Sequence, residues 1–243
     1  MRVLLISDIH ANLTALEAVL NDAENYDSVW FLGDLVGYGP DPNECVERIR
    51  ALPDLVALKG NHDAATLNQL STDAFNAEAR YTVTWTQGNL SPENLAYLGE
   101  LPAKVQVMDD VTLAHGSPRQ PVWEYILNAQ TATENFFFFE TPYCFVGHTH
   151  LPSIFRLSDG RAQADLFVPI ENSQFELSPR LILNPGSVGQ PRDRDLRAAY
   201  AIFDLETKMT EFRRVAYDIP AVQKRMRKAG LPERHINRLE SGW

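Results

Sequence analysis

Seven side chains able to hold a metal ion stand at the ends of short apolar runs in this chain. Asp8 and His10 follow "VLLIS", Asp34 follows "SVWFLG", Asn61 follows "LVALKG", His115 follows "VTLA", and His148 with His150 follows "YCFVG". Of six histidines, His10, His115, His148 and His150 belong to this set, His62 adjoins Asn61, and only His235 falls elsewhere. Carboxylate, imidazole and amide oxygen without a thiolate suit Mn, Fe, Zn, Co or Ni better than Cu(I) or an iron–sulfur cluster. Seven donors are too many for one tetrahedral ion; they fit two ions sharing a carboxylate, roughly 3.5–4 Å apart. Taken singly, each motif has an ordinary explanation, "DIH" as a helix cap beside a surface histidine and "GNHD" as a turn. Together they do not. Capping does not need five strand ends to finish in ligands, and so many buried imidazoles would each need a hydrogen-bond partner.

The elements that must position these groups follow from the apolar pattern. The five runs, with "RLILNPGS" (180–187), read as buried strands covered on both faces. Helical spacing places Leu13, Leu16, Val19, Leu20 and Ala23 on one face of residues 13–23. A second helix over 41–51 starts with Asp41 as N-cap and Pro42 in its first turn, with Cys45, Val46 and Ile49 inward. Strand–helix–strand alternation argues an α/β architecture, whose sites gather at the carboxyl ends of strands. If the chain is extended there, residues i and i+2 point the same way, so Asp8/His10 and His148/His150 each offer two groups to one cavity. Residues 64–101 carry no ligand-type motif and read as a helical insertion over the sheet edge, with helices at about 73–86 and 92–98. Further strands are expected at "SIFRL" (153–157), "AAYAIFDL" (198–205) and "TEFRRVAY" (210–217), and helix at 220–240. The basic residues Lys224, Arg225, Arg227 and Lys228 read as a solvated helix face. A single domain spanning 1–243 is the expectation.

Composition narrows the function classes. The chain has 243 residues, 44% hydrophobic and 22% charged, with formal net charge -10. That field disfavours stable binding to nucleic acid or an anionic membrane, though bound cations can reverse it locally for a phosphorylated substrate. Cys45 and Cys144 are too few for a disulfide scaffold and read as buried free thiols. The apolar start "VLLI" is too short for a signal-peptide core, and no run is long enough to span a membrane. The cytoplasm is the expected compartment.

In this order, "SDIHAN", "FLGDLVGYGP", "LKGNHD", "LAHGSP" and "VGHTH" resemble the five blocks of the calcineurin-like metallophosphoesterases. The match covers residues 3–150, and "NPGSVGQPR" (184–192) resembles the small bacterial and archaeal phosphodiesterase branch. The resemblance implies two mixed β-sheets packed as a sandwich flanked by helices, a four-layer fold. It implies two divalent transition-metal ions, manganese first among them. Asp8, His10 and His150 then serve one ion, Asn61, His115 and His148 the other, and Asp34 bridges both. His62 faces the substrate as general acid, with Asp63 as its orienting partner.

One departure bears on the substrate. The phosphoprotein phosphatase branch has Gly-Asp-x-Val-Asp-Arg-Gly, whereas this chain has Gly33-Asp34-Leu35-Val36-Gly37-Tyr38-Gly39. The arginine that would clamp a phosphomonoester is missing, which weakens protein phosphatase and symmetrical dinucleoside tetraphosphate hydrolysis as readings. Arg119, Tyr125 and Arg192 are the candidates for substrate contact instead. The expected activity is hydrolysis of a small or nucleotide-like phosphodiester, with a hydroxide generated at a metal whose bound water has its pKa lowered to about 7. Alternatives are a phosphomonoesterase or protein phosphatase, a dinucleoside polyphosphate hydrolase, or a non-catalytic scaffold that kept the fold; a scaffold should have lost ligands. A metallo-β-lactamase-type hydrolase needs a His-x-His-x-Asp-His run, and "HTHLPS" does not continue that way. The oligomeric state is not legible.

Overall fold

The structure is a computed structural model that describes residues 1–243. Its strands are β1 (Arg2–Ile6), β2 (Ser28–Phe31), β3 (Leu55–Ala57), β4 (Lys104–Val107), β5 (Val111–Ala114), β6 (Tyr143–Phe145), β7 (Ser153–Arg156), β8 (Asp165–Phe167), β9 (Gln174–Glu176), β10 (Leu181–Asn184), β11 (Ala198–Asp204) and β12 (Met209–Val215). Its helices are α1 (Leu13–Asp22), α2 (Pro42–Arg50), α3 (Asn61–Thr66), α4 (Ala77–Asn89), α5 (Pro92–Glu100), α6 (Ala129–Asn135), α7 (Ile219–Lys228) and α8 (Glu233–Ser241). The strands form two six-stranded sheets, β3-β2-β1-β11-β12-β9 and β4-β5-β6-β10-β7-β8. Both are mixed. β1, β2 and β3 run parallel, as do β5, β6 and β10, while β11 and β7 pair antiparallel at their flanks.

The apolar runs are unbroken because the strands are covered on both faces. From the first sheet, Leu4, Ile6, Val29 and Phe31 meet Leu16 and Val19 of α1 and Val46 and Ile49 of α2. Their neighbours Val3, Leu5 and Trp30 point the other way, against Leu113, Phe145 and Leu183 of the second sheet. That sheet's outer face, with Cys144, Phe155 and Ile182, is covered by Ala132, Phe136 and Phe139. Helix, sheet, sheet and helix make four layers, as expected. Cys45 and Cys144 are free and buried. No helix is long and apolar enough to cross a membrane.

Several local expectations need correction. The helix expected at 73–86 is Ala77–Asn89, because Asn76 caps it: its side chain accepts from Ala79 N at 2.8 Å. Phe75 is therefore outside the helix and packs against the His62 ring. Asp41 stands at the N-cap of α2 but makes no side-chain cap bond, because its carboxylate takes two hydrogen bonds from Arg225, at 2.9 and 2.8 Å. The basic cluster is thus not wholly solvated. Arg225 also donates to Thr14 Oγ1, tying α7 to α1 and α2, while Lys224, Arg227 and Lys228 remain exposed. Strands β4, β8 and β9 were not legible as strands. All three are partly exposed and lack the apolar run that marks the others.

Candidate metal centre

The turns that leave β1, β2, β5 and β6, with the start of α3, bring Asp8, His10, Asp34, Asn61, His115, His148 and His150 into one buried cluster. Convergence does not come from extended chain, as the i, i+2 spacing implied. Asp8, His10, Asp34, His148 and His150 all have positive φ, between 50° and 65°. A non-glycine residue in this left-handed region costs roughly 1–2 kcal/mol. Hydrogen bonds across the turns hold the conformation: Asp8 N donates to Gly33 O and His10 N to Asp34 O, each at 3.0 Å. Left-handed non-glycine residues clustered in this way are a common feature of functional sites.

Two donor groups share one atom. His10 Nε2 lies 3.6 Å from Asp34 Oδ2 and 3.1 Å from His150 Nε2, and His150 Nε2 lies 3.3 Å from Asp8 Oδ1. On the other side, His115 Nε2 lies 3.5 Å from the same Asp34 Oδ2, 3.2 Å from Asn61 Oδ1 and 3.2 Å from His148 Nδ1. The second oxygen of each aspartate is taken by backbone: Asp34 Oδ1 accepts from His62 N at 2.9 Å, and Asp8 Oδ2 from His148 N at 3.0 Å.

The remaining ring nitrogens decide what the cluster can hold. His10 Nδ1 faces Val36 O at 3.2 Å, His115 Nδ1 faces Leu32 O at 2.8 Å, His150 Nδ1 faces Gln190 O at 2.5 Å, and His148 Nε2 faces Trp123 O at 3.1 Å. A carbonyl oxygen only accepts, so each of these nitrogens carries the proton, and each opposite nitrogen of a neutral ring offers a lone pair. His10 and His150 then meet lone pair to lone pair at 3.1 Å, a contact that a cation between them relieves. Buried Asp8 Oδ1 has no hydrogen-bond partner. Burial pushes the Asp8 carboxyl up to about 7 and holds His10, His148 and His150 well below the usual imidazole range. Burial opposes charge on His115 too, but Asp34 outweighs it and pushes that ring up to about 9. The oxygen-and-nitrogen donors, in two groups that have Asp34 Oδ2 in common, could hold divalent metal ions, whose binding would release the proton of His115.

The sequence model of the calcineurin-like phosphoesterase superfamily domain matches residues 1–208. This chain belongs to that superfamily. An uncharacterized protein of Methanocaldococcus jannaschii is 37% identical over 237 residues, which cover 95% of this chain and 94% of the relative. The crystal structure of a metallophosphoesterase from Sphaerobacter thermophilus is 49% identical and superposes with a TM-score of 0.91, covering 100% of this chain and 99% of that one. A symmetrical bis(5'-nucleosyl)-tetraphosphatase of Erwinia tasmaniensis is 40% identical over only 67 residues, 26% of this chain and 24% of that one.

Around this calcineurin-like cluster, the other sequence-predicted residues separate. His62 lies at its edge, its ring 4.4 Å from Tyr38 and 5.0 Å from His10, and its buried Nδ1 has no partner. Burial pushes its pKa down to about 4. Asp63 does not orient it. The Asp63 carboxylate accepts from four backbone N–H groups, of Asp34 (3.0 Å), Leu35 (3.2 Å), Val36 (3.0 Å) and Gly60 (2.9 Å). It is the third helical residue of α3 reaching back to the cap, a capping signature readable in "GNHD", and it fixes the Asp34 loop. Gly37 supplies the space His62 needs. Its φ is +93°, and a Cβ there would lie 2.6 Å from His62 Nδ1. Arg119 does not face the cluster either. It pairs with Glu124 and, at 2.9 Å, with Glu134, while Glu124 also accepts from Ser117 Oγ and Asn135 Nδ2. Tyr125 and Arg192 do reach the site. Tyr125 stacks on His148 with centroids 3.9 Å apart, and Tyr125 and Arg192 line a cavity of about 450 Å³ beside the cluster.

Sequence reasoning missed three contributions of this superfamily member. The segment 184–192 is the clasp between the two sheets' turns: Asn184 Nδ2 donates to Gly147 O (2.6 Å), Ser187 Oγ to Asp8 O (2.9 Å) and Gly189 N to Asp8 O (2.9 Å). His235, the histidine left outside the motifs, is buried on α8 behind Tyr38, with centroids 4.6 Å apart. Arg238, also on α8, lines the same cavity as Arg192. No sequence signal marks either α8 residue, since both lie far along the chain from every ligand. A larger cleft of about 660 Å³ bordered by α1, α2 and α7 is lined by Glu17, Asp41, Glu44 and Asp218, a field that repels phosphate.

Proposed function

We propose that the protein is a dinuclear metal-dependent phosphoesterase that hydrolyses small phosphodiesters. The observation that carries this is Asp34 Oδ2, shared at 3.6 and 3.5 Å between a histidine of each donor group. Asp8, His10 and His150 would hold one ion, Asn61, His115 and His148 the other, with manganese as the first candidate. Such ions, when bound, supply a water of lowered pKa and neutralise phosphoryl oxygens as charge builds.

The chain's own groups do the rest. Backbone carbonyls of Val36, Leu32, Gln190 and Trp123 hold the four imidazoles in one tautomer and one orientation. His62 presents an unpartnered Nδ1 and no carboxylate of its own. A bound phosphoryl anion supplies the negative charge that raises its pKa from about 4, after which it gives its proton to the leaving oxygen. Gly37 and Tyr38 replace the Asp-Arg pair, so no arginine clamps a second phosphoryl charge at that point. A diester carries one negative charge there, and the neighbouring cavity gives its second arm room. The partial likeness to a tetraphosphatase keeps dinucleoside polyphosphate hydrolysis as a second reading.

Metal-stripped protein reloaded with Mn²⁺ tests the reading. We expect a higher kcat/KM for bis(nitrophenyl) phosphate than for the nitrophenyl monoester. A clear monoester preference overturns the diesterase reading, and no metal-dependent turnover of either overturns the phosphoesterase reading.

A further inference from the structure

Arg192 and Arg238 share one neutral acceptor. Arg192 Nη2 and Arg238 Nη1 each donate to Gln190 Oε1 at 3.3 Å, and neither arginine pairs with a carboxylate. The buried Nε of Arg192 has no partner at all. Three other part-buried arginines are matched by carboxylates, Arg225 by Asp41, Arg213 by Glu211 and Arg214 by Asp193, whereas Arg180 is satisfied by the carbonyls of Phe136, Phe139 and Thr141, and Arg156, like Arg192, keeps an unpartnered Nε but lies away from this cavity. Two adjacent guanidinium groups with one amide between them are under-neutralised, and their fork of N–H donors suits phosphate oxygens.

Their placement gives a direction. The cavity they line is floored by Tyr38, which packs on His10 and His62, and by Tyr125, which stacks on His148. Arg192 is the nearer cation, close enough for its charge to act on Asp8, His10, His62, His148 and His150. Arg238 is the outer one, acting on Tyr38 and His235 and itself acted on by the charge of Arg192. Positive charge thus runs from the metal centre outward along one wall. Tyr125 and Trp243, 43% and 64% exposed, offer aromatic surface beside it.

We propose that Arg192 and Arg238 form a second anion site that takes a phosphate of the substrate's non-reacting arm. The substrate class is then a nucleotide-like phosphoester bearing a further phosphate next to the one held at the metals, its planar ring against Tyr125 or Trp243. The proposal rests on the phosphoesterase reading for what happens to the first phosphate, but not for binding of the second.

Calorimetric titration of the Mn²⁺-loaded protein with α,β-methylene-ADP, AMP and adenosine tests it. In the unsubstituted protein, the second phosphate is expected to tighten binding by about tenfold over AMP, the scale of one charge-assisted contact. In Arg238→Gln that advantage should fall to about twofold or less, and Arg238→Lys should recover part of it. Equal affinities for α,β-methylene-ADP and AMP in the unsubstituted protein overturn the site, a result that needs no variant to fold. So does an Arg238→Gln protein that keeps the full advantage. Turnover of bis(nitrophenyl) phosphate is scored on the same preparation. Selective binding without turnover would sink the diesterase reading and keep the anion site; turnover without selective binding would do the reverse.

Discussion

On the floor of the site, Asp34 is 1% exposed and each of its four histidines is pinned by a backbone carbonyl; on the rim, Trp243 is 64% exposed and two arginines lean on one glutamine. The floor comes from turns at the ends of central strands, where strain and buried charge are offset by interlocking hydrogen bonds. The rim comes from the loop after β5, the segment before β11 and the last helix with the residues that follow it. On the proposed reading, a change on the floor alters whether any ester can react, and a change on the rim alters which ester is held.

The largest effect should follow from Asp34→Asn. A neutral amide is a poor bridge between two cations, so turnover should disappear and metal content should fall at both positions. Elemental analysis showing two ions per chain with unchanged turnover would remove the floor's claim to be the reaction centre.

His62→Asn should come next, with both metals retained. We expect kcat to fall by about 10²–10⁴-fold for esters with poor leaving groups, and by less for nitrophenyl esters, which need less protonation. Equal losses across a leaving-group series would recast His62 as a positioning residue.

Gly37→Ala sharpens the comparison, because it changes the floor without touching a proposed ligand. Its positive φ and the 2.6 Å approach to His62 predict a stability loss of roughly 1–2 kcal/mol. Activity should fall with it while metal content holds. Thermal unfolding and turnover together read it, and an alanine variant with unchanged kcat would show that His62 tolerates displacement.

The smallest effect belongs to Arg119→Ala. Its pairs with Glu124 and Glu134 are partly exposed, so we expect about 1 kcal/mol of stability or less. The ratio of kcat/KM between nucleotide-like and simple diesters should stay constant. A shifted ratio would place Arg119 on the rim after all.

The chain order alone made the floor legible. Ligand types at the ends of apolar runs are a local property, and buried strands covered on both faces announce themselves as unbroken apolar stretches. So Asp8, His10, Asp34, Asn61, His115, His148 and His150 could be named, and their runs recognised as strands, before any coordinates. What the pattern could not carry were partners remote in sequence. Asp63 looked like the neighbour of His62 because it is the next residue, yet its carboxylate folds back onto the N–H groups of Asp34, Leu35 and Val36. Arg119 looked available because nothing in the chain order marks Glu124, five positions on, and Glu134, fifteen positions on, as its partners. Arg238 joins Arg192 across 46 residues, through Gln190, only because α8 packs beside the 184–192 clasp. The same holds for backbone geometry. The sequence placed His148 and His150 two apart, but left-handed turns, held by hydrogen bonds from distant strands, aim them. Residue type and short-range spacing determined what chemistry is available; long-range hydrogen bonds and packing decided which groups face the cavity, because those energies depend on neighbours that the linear chain does not place together.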